Sequence, residues 1–549
     1  MEVISKKLII DKLNSYKFKV KEFQVDIIYE ILDSFLNGYT NVILNAPTGV
    51  GKSVIGFIVA DILGDIEKEK LKSIILIQNN SLVDQYKDMF QYFSNTEIIK
   101  GADNYECEIL NKSAKYCIYN ILKEQKSKGK LYNCYNCKFK KSRQKINEIP
   151  HLITNYQYFF ISRLYSDHLE KRLITIYDEC HEINDAFSNS YTIYISEQLL
   201  NEYLKELQSE DPNILSRALN IFNFVSILDK DYRKTLNFLF EAYSLLEKYF
   251  HDKALERVLK NDYKGYYKYK SKEIKYKGLG CKIDDLLKYN YTHTVDINNV
   301  TNELTIKPVF INDLFSSITF SKFNLFMSAT IHQDFIIKTL NLDKNAIKFI
   351  GADSPFKKEN KKVIFLNSHT LNYKNTKDSG VIQKISDICN LIIEKKHKNE
   401  KGIILTPSFY LTNEIFNNFI KLNSIKVFKH ESGQILNLII NDFKLYNGPA
   451  LLISPSLFIG IDLPNDFSRF QIMIKAPFHS LGDSRMSYIL KNYPDIYNII
   501  TMFKIIQGFG RSTRNEHDYS TTYCLDTNIK RLFNIAPLEI QNQFDIINV

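Results

Sequence analysis

The apolar positions of this chain fall into short solid runs separated by amphipathic stretches. Val42-Ile43-Leu44, Ser73-Ile74-Ile75-Leu76-Ile77, Leu173-Ile174-Thr175-Ile176-Tyr177 and Phe323-Asn324-Leu325-Phe326-Met327 each predict a strand buried on both faces, and His151-Leu152-Ile153-Thr154-Asn155-Tyr156 is strand-like. After the first run, Val54, Ile55, Ile58, Val59, Ile62 and Leu63 recur at helical spacing. Strand alternating with helix implies an α/β layer built on a parallel sheet. The rhythm restarts after Gly351-Ala352-Asp353-Ser354-Pro355-Phe356. Gly402-Ile403-Ile404-Leu405-Thr406 and Ala450-Leu451-Leu452-Ile453 predict strands of a second α/β domain over about 365–549. Two stretches interrupt the pattern. Residues 101–150 lose apolar periodicity and gain glycine, lysine and cysteine, and residues 185–315 look like an insertion, helical around Leu199-Leu200, Leu204 and Leu207 and again at Leu236–Phe240.

Composition narrows the class. The 549 residues suffice for about three or four domains. With 44% hydrophobic and 24% charged residues the chain is ordinary globular material. No run of about 18 apolar residues predicts a membrane span, and no apolar segment follows Met1–Lys7 as in a secretory leader. Eight cysteines in so long a chain do not make a disulfide scaffold, and the expected compartment is reducing and cytoplasmic, in a bacterium or the host of a virus. A net charge of +10 suits a polyanionic partner without separating DNA from RNA.

Candidate chemistry begins at Asn45-Ala46-Pro47-Thr48-Gly49-Val50-Gly51-Lys52-Ser53, between a strand and a helix. Gly49 and Gly51 let the backbone turn N–H groups onto phosphate oxygens, Lys52 reaches the β- and γ-phosphates, and the Ser53 hydroxyl reaches Mg²⁺. Ala46 stands where the usual pattern has its first glycine. The strand ending at Tyr177 runs into Asp178-Glu179-Cys180-His181, and carboxylates at that end of a parallel strand lie where ligands bind. Asp178 is suited to hold Mg²⁺ through water, and Glu179 to orient or deprotonate an attacking water. Upstream, Gln24 is either an adenine contact or a surface glutamine. Near the C-terminus, Arg511 and Arg514 lie three apart in Gln507-Gly508-Phe509-Gly510-Arg511-Ser512-Thr513-Arg514, a spacing that puts both on one helical face as a phosphoryl clamp. Cys107, Cys117, Cys134 and Cys137 supply four thiolates, enough for Zn²⁺ or an iron–sulfur cluster, and spacing does not choose between them. Tyr and Lys alternate from Tyr263 to Lys277, a pattern for stacking bases and tracking phosphates on a single strand, or for a solvated loop.

The ordered set resembles superfamily-two helicases: Ala46 to Ser53, Asp178-Glu179-Cys180-His181, Ser328-Ala329-Thr330, Gly460-x-Asp462 and Gln507-x-x-Gly510-Arg511-x-x-Arg514. The cysteine quartet between the first two, with Thr154-Asn155-Tyr156 and Ser354-Pro355-Phe356, narrows the resemblance to the XPD/DinG family of iron–sulfur DNA helicases. That resemblance implies an α/β fold of two RecA-like parallel-sheet domains sharing ATP and Mg²⁺ in a cleft. The first comprises 1–100, 151–189 and 316–364, interrupted by a [4Fe–4S] domain at 101–150 and a helical arch at 190–315, and the second is 365–549. It implies nucleotide binding by Gln24, Ala46, Pro47, Thr48, Gly49, Val50, Gly51, Lys52, Ser53, Gly460 and Asp462. It implies catalysis by Lys52, Asp178, Glu179, Gln507, Arg511 and Arg514, and a cluster on Cys107, Cys117, Cys134 and Cys137, with zinc as the alternative. The expected activity is ATP-dependent 5′ to 3′ translocation on single-stranded DNA with unwinding of forked DNA, in repair, replication or recombination, by a monomer. An RNA-directed ATPase and a non-catalytic DNA-binding scaffold are the rivals.

Overall fold

The computed structural model describes residues 4–47, 49–90, 93–107, 111–117, 137–165, 168–196, 232–289, 291–298, 303–318, 321–372, 374–419, 425–458, 463–511 and 518–549. Each solid apolar run of the sequence is a strand. The first sheet contains β1 (Asn41–Asn45), β2 (Ser73–Ile77), β3 (Thr96–Ile98), β4 (His151–Asn155), β5 (Ile174–Asp178), β6 (Phe323–Ser328) and β7 (Ile347–Gly351). Its order is β7-β1-β6-β5-β2-β4-β3. Every residue of β1, β2, β4, β5 and β6 is buried, because helices cover a parallel sheet on both faces. Ile75 of β2 aligns with Ile153 of β4 on one side and Ile176 of β5 on the other, so β-branched side chains stack across the sheet.

The second sheet contains β8 (Lys361–His369), β9 (Lys401–Leu405), β10 (Lys426–Lys429), β11 (Ala450–Ser454), β12 (Phe470–Met473), β13 (Ser520–Asp526) and β14 (Asp545–Asn548). Its order is β10-β11-β9-β12-β13-β8-β14, parallel at each of these pairings. Ile404, Ile453, Ile472 and Leu525 form one apolar cluster with Ile385, Cys389 and Ile393 of the helix Ser379–Lys396. By packing, the chain forms two compact units. One comprises Met1–Lys19, Phe57–Leu325 and Ile337–Ala346; the other comprises Val20–Gly56, Phe326–Ile336 and Ile347–Val549 and contains the whole second sheet.

The helices Tyr232–Leu259 and Tyr263–Tyr289 form an antiparallel hairpin. Tyr266, Tyr269 and Tyr276 are buried in it, with the Phe250 and Tyr276 rings stacked at 5.5 Å and 5°. The aromatic half of the Tyr/Lys alternation is therefore core, and base stacking by these three rings is ruled out. Their spacing of three and ten residues selects one helical face, which leaves Lys264, Lys268 and Lys275 exposed on another. Asn79 caps the helix Asn80–Phe90 by accepting from the Leu82 amide at 3.0 Å. Among the described residues, no helix is long and apolar enough to cross a membrane.

Candidate nucleotide site

The phosphate loop follows β1 and opens the helix Lys52–Ile66. Its start is pinned from both sides: the Ala46 amide donates to the Ser328 carbonyl at 2.9 Å, and the Ala352 amide donates to the Asn45 carbonyl at 2.8 Å. Gly49 and Gly51 have φ of +88° and +86°, the left-handed region open to glycine. The Gly51 carbonyl accepts from the Val54 and Ile55 amides at 3.0 Å, which starts the helix. The Lys52 ammonium lies 3.4 Å from the Ala46 carbonyl, curled back over the loop.

Gln24, 4% exposed, donates through Nε2 to the Val50 carbonyl at 2.6 Å. A Cβ on Gly51 would fall 2.4 Å from that nitrogen. Gln24 is thus not a surface glutamine; its amide nitrogen braces the loop. A second contact was not legible in the sequence. The Phe356 ring lies on Gly49, where an added Cβ would meet it at 2.4 Å. Thr48 lies outside the described residues, as do Gly460, Asp462, Arg514 and Cys134.

The acidic pair ends β5. Asp178 is 8% exposed; its Oδ2 accepts from the Tyr86 hydroxyl at 2.8 Å and its carbonyl from the Tyr156 hydroxyl at 2.8 Å. Complete burial, with Cys180 and Asp178 nearby, raises the Tyr156 hydroxyl well above the ordinary phenol range, so it stays a donor at all working pH. This explains why Tyr156 closes the Thr154-Asn155-Tyr156 run. Tyr86 carried no sequence signal, since it is one apolar position of an amphipathic helix. Glu179 sits at φ +50°, ψ +51°, with its carboxylate 3.5 Å from His181 Nδ1; His181 Nε2 faces Glu182 at 3.4 Å.

Ser328 ends β6 and Thr330 follows it, and the Thr330 amide donates to Ser328 Oγ at 3.1 Å, a tight polar turn beside the anchored Ala46. In the second sheet's unit, Gln507 is half-buried in the last turn of the helix Pro494–Phe509. The helix ends at Phe509 with Gly510 as its cap, so Arg511 lies just beyond it, and the face expected to be shared with Arg514 lies outside the described residues. Gly508 is small because Met473 Cε would lie 2.8 Å from a Cβ there. Arg511 is 8% exposed, donates to the Phe458 carbonyl at 2.5 Å and accepts from the Leu463 amide at 3.4 Å through its own carbonyl. Arg511 is thus bonded to Phe458 and Leu463, the described residues on either side of 459–462.

Of the cysteines, Cys107 is buried and Cys117 and Cys137 are half-buried, none of these three in a disulfide. Among the described residues no group of three or more His, Cys, Asp or Glu side chains is placed to hold a metal. The described thiolates alone therefore do not assemble a cluster site. Cys107 and Cys117 both lie close enough to Tyr266 to raise its hydroxyl further, although burial is the larger cause. The Tyr266 hydroxyl donates to the Tyr116 carbonyl at 2.7 Å.

Comparison with known proteins agrees with this geometry. The helicase C-terminal domain family matches residues 391–535, and the family of the res subunit of type III restriction enzymes matches 17–208. A probable ATP-dependent helicase of Methanocaldococcus jannaschii is 23% identical over 92% of this chain and 91% of its own length. In solved structures, an XPD helicase covers 97% of this chain and 100% of its own at a TM-score of 0.62 and 15% identity. An XPD-type protein of S. tokodaii covers 96% and 100% at 0.59 and 15%. The two family models thus fall on the two sheet-bearing parts of the chain, and over almost its whole length the chain is similar to a probable ATP-dependent helicase. The fold of the whole chain is that of the XPD helicase structures.

Proposed function

We propose that this chain is an ATP-driven DNA helicase that moves 5′ to 3′ on single-stranded DNA and opens forked duplexes as a monomer, serving repair, replication or recombination. The observation that supports this most is the phosphate loop, braced by Gln24 and anchored to Ser328 and Ala352, with Lys52 and Ser53 opening its helix. In this reading Lys52 and Ser53 hold the phosphates and Mg²⁺, Asp178 assists the metal, and Glu179 activates water. Gln507, Arg511 and Arg514 answer to the γ-phosphate, Asp462 relays its state, and the oxygen of Gln24 remains available to an adenine. The domain boundaries carry over from the resemblance, with 101–150 and 190–315 as insertions. The four cysteines would hold an iron–sulfur cluster once Cys134 joins the other three, supplying a rigid, redox-capable fold element. A brown protein with broad visible absorbance supports that; a colourless protein holding one zinc reverses it.

The test compares phosphate release and strand separation on matched DNA and RNA, and on forks of opposite polarity. Stimulation by DNA, unwinding only of forks with a 5′ single-stranded tail, and loss of both in Lys52→Ala and Glu179→Gln are the expected results. Preference for RNA, or unwinding by either variant at the parental rate, overturns it.

A further inference from the structure

We propose that Phe356 is a positioning residue that couples the phosphate loop to β8 of the second sheet. The inference rests on the ATPase reading above and deepens it. Residues 352–356 grip the loop at two points. Ala352 donates to Asn45 just before the loop, and the Phe356 ring covers Gly49 in its middle. Gly49 is in the left-handed region with no side chain, so the ring occupies the space a side chain would fill. A change in the loop backbone as its N–H groups take up phosphate oxygens displaces this ring, since close-packed contacts transmit rather than absorb such shifts.

The ring's position is set locally. Pro355 restricts the residue before it, and the Phe356 amide donates to Ser354 Oγ at 3.2 Å. The ring's next neighbour is the Lys361 ammonium, 4.9 Å from its centroid, within cation–π range. Lys361 is 6% exposed and is the first residue of β8. It aligns with Ser520 of β13, and the next residue, Lys362, aligns with Asp545 of β14. Gly49, Phe356 and Lys361 therefore form a contact chain from the nucleotide cradle into the second sheet. An aliphatic residue would fill the space over Gly49 but would lose the attraction for the ammonium, so the contact chain requires an aromatic ring.

The test uses the full chain with Phe356→Ala, Phe356→Leu and Phe356→Tyr, reading ATP hydrolysis with and without a single-stranded oligonucleotide. In Phe356→Ala the stimulated kcat should fall about tenfold while KM for ATP changes about twofold or less, and Phe356→Tyr should restore kcat. Phe356→Leu, which fills the space, should stay impaired. Combining Phe356→Ala with Lys361→Met should cost no more than the larger single change, as for residues acting in one chain of contacts. A raised KM with kcat kept, equal rates in the Leu and Tyr variants, or additive effects would overturn the coupling role. If the parental chain itself shows no stimulated hydrolysis, the functional reading fails, and the failure does not lie with Phe356.

Discussion

Glu179 has a backbone conformation that costs a glutamate about 1 kcal/mol or more relative to glycine, because its Cβ crowds the following carbonyl. The sequence shows why a carboxylate belongs at this position but not that its backbone is strained, since strain arises from the turn between β5 and the short helix Cys180–Glu182. Replacing Glu179 with Gly and with Ala separates the two roles. Both variants should lose ATP hydrolysis, and Gly should be the more stable by about 1 kcal/mol, the reverse of the usual order. Urea melts of the two variants test this, and an alanine variant at least as stable as the glycine variant would remove the strain account. Gly51 makes the complementary case. Its glycine was legible as a loop residue, whereas the reason no side chain fits, the Gln24 amide 2.4 Å from any Cβ, required the fold. Gly51→Ala should weaken ATP binding by about tenfold or more, read by equilibrium titration with a labelled nucleotide.

At the scale of elements, solid apolar runs were legible as strands because burial on both faces leaves no room for a polar position. The Tyr/Lys alternation was misleading for the converse reason: a near-period-two pattern conceals a helix whose tyrosines fall on one face every three to four residues. The exposed Lys264, Lys268 and Lys275 are then the part of that helix able to meet phosphates. Reversing Lys264 and Lys275 to Glu should lower nucleic-acid affinity and flatten its salt dependence by about one phosphate contact each. Affinities measured from low to moderate salt decide this, and an unchanged slope would place the strand elsewhere.

The edge of β2 and β4 carries a second lesson. His151, fully buried, bridges Ser73 Oγ at 2.8 Å and Asp61 at 3.2 Å, and Asp61 also takes Lys12, Lys72 and the Tyr16 hydroxyl. Burial lowers the His151 pKa against the pull of Asp61, with Lys72 and Arg172 adding to the depression. Burial likewise lowers His397, and it takes His168 down to about 4. Below the unfolded value of about 6.5 the unfolded chain binds protons that these imidazoles refuse, so stability must fall as pH drops from there. Asp61, held far below the carboxylate range by His151, Lys12 and Lys72 despite its burial, adds acid sensitivity only below about pH 4. Thermal midpoints should therefore decline from pH 6.5 to 4 and be level between 7 and 8; a level profile down to pH 5 would contradict the assignment.

At the scale of the molecule, the two sheets differ in how they draw on the chain. Strands of the first come from Asn41 to Gly351, with long segments between, so no local pattern could reveal that β1 lies between β7 and β6. Strands of the second all lie between Lys361 and Asn548, and its apolar cluster draws only on residues from Leu371 to Leu525. Sequence rhythm was accordingly enough to read a second α/β sheet in this stretch. A fragment of residues 361–549 should then fold alone, since it keeps every strand pairing of its sheet. It gives up, among others, the edge-on contact of Phe503 with Phe335, the packing of Glu539 on Gly351 and the contact of Lys361 with the Phe356 ring, peripheral contacts whose loss a core of this size can absorb. The expected result is a single cooperative urea transition with no ATP binding, because the whole phosphate loop is left out. A broad transition with exposed apolar surface would mean that this sheet depends on Val20–Gly56 and Phe326–Ile336, which pack in the same unit, and that the cradle is part of its folding core.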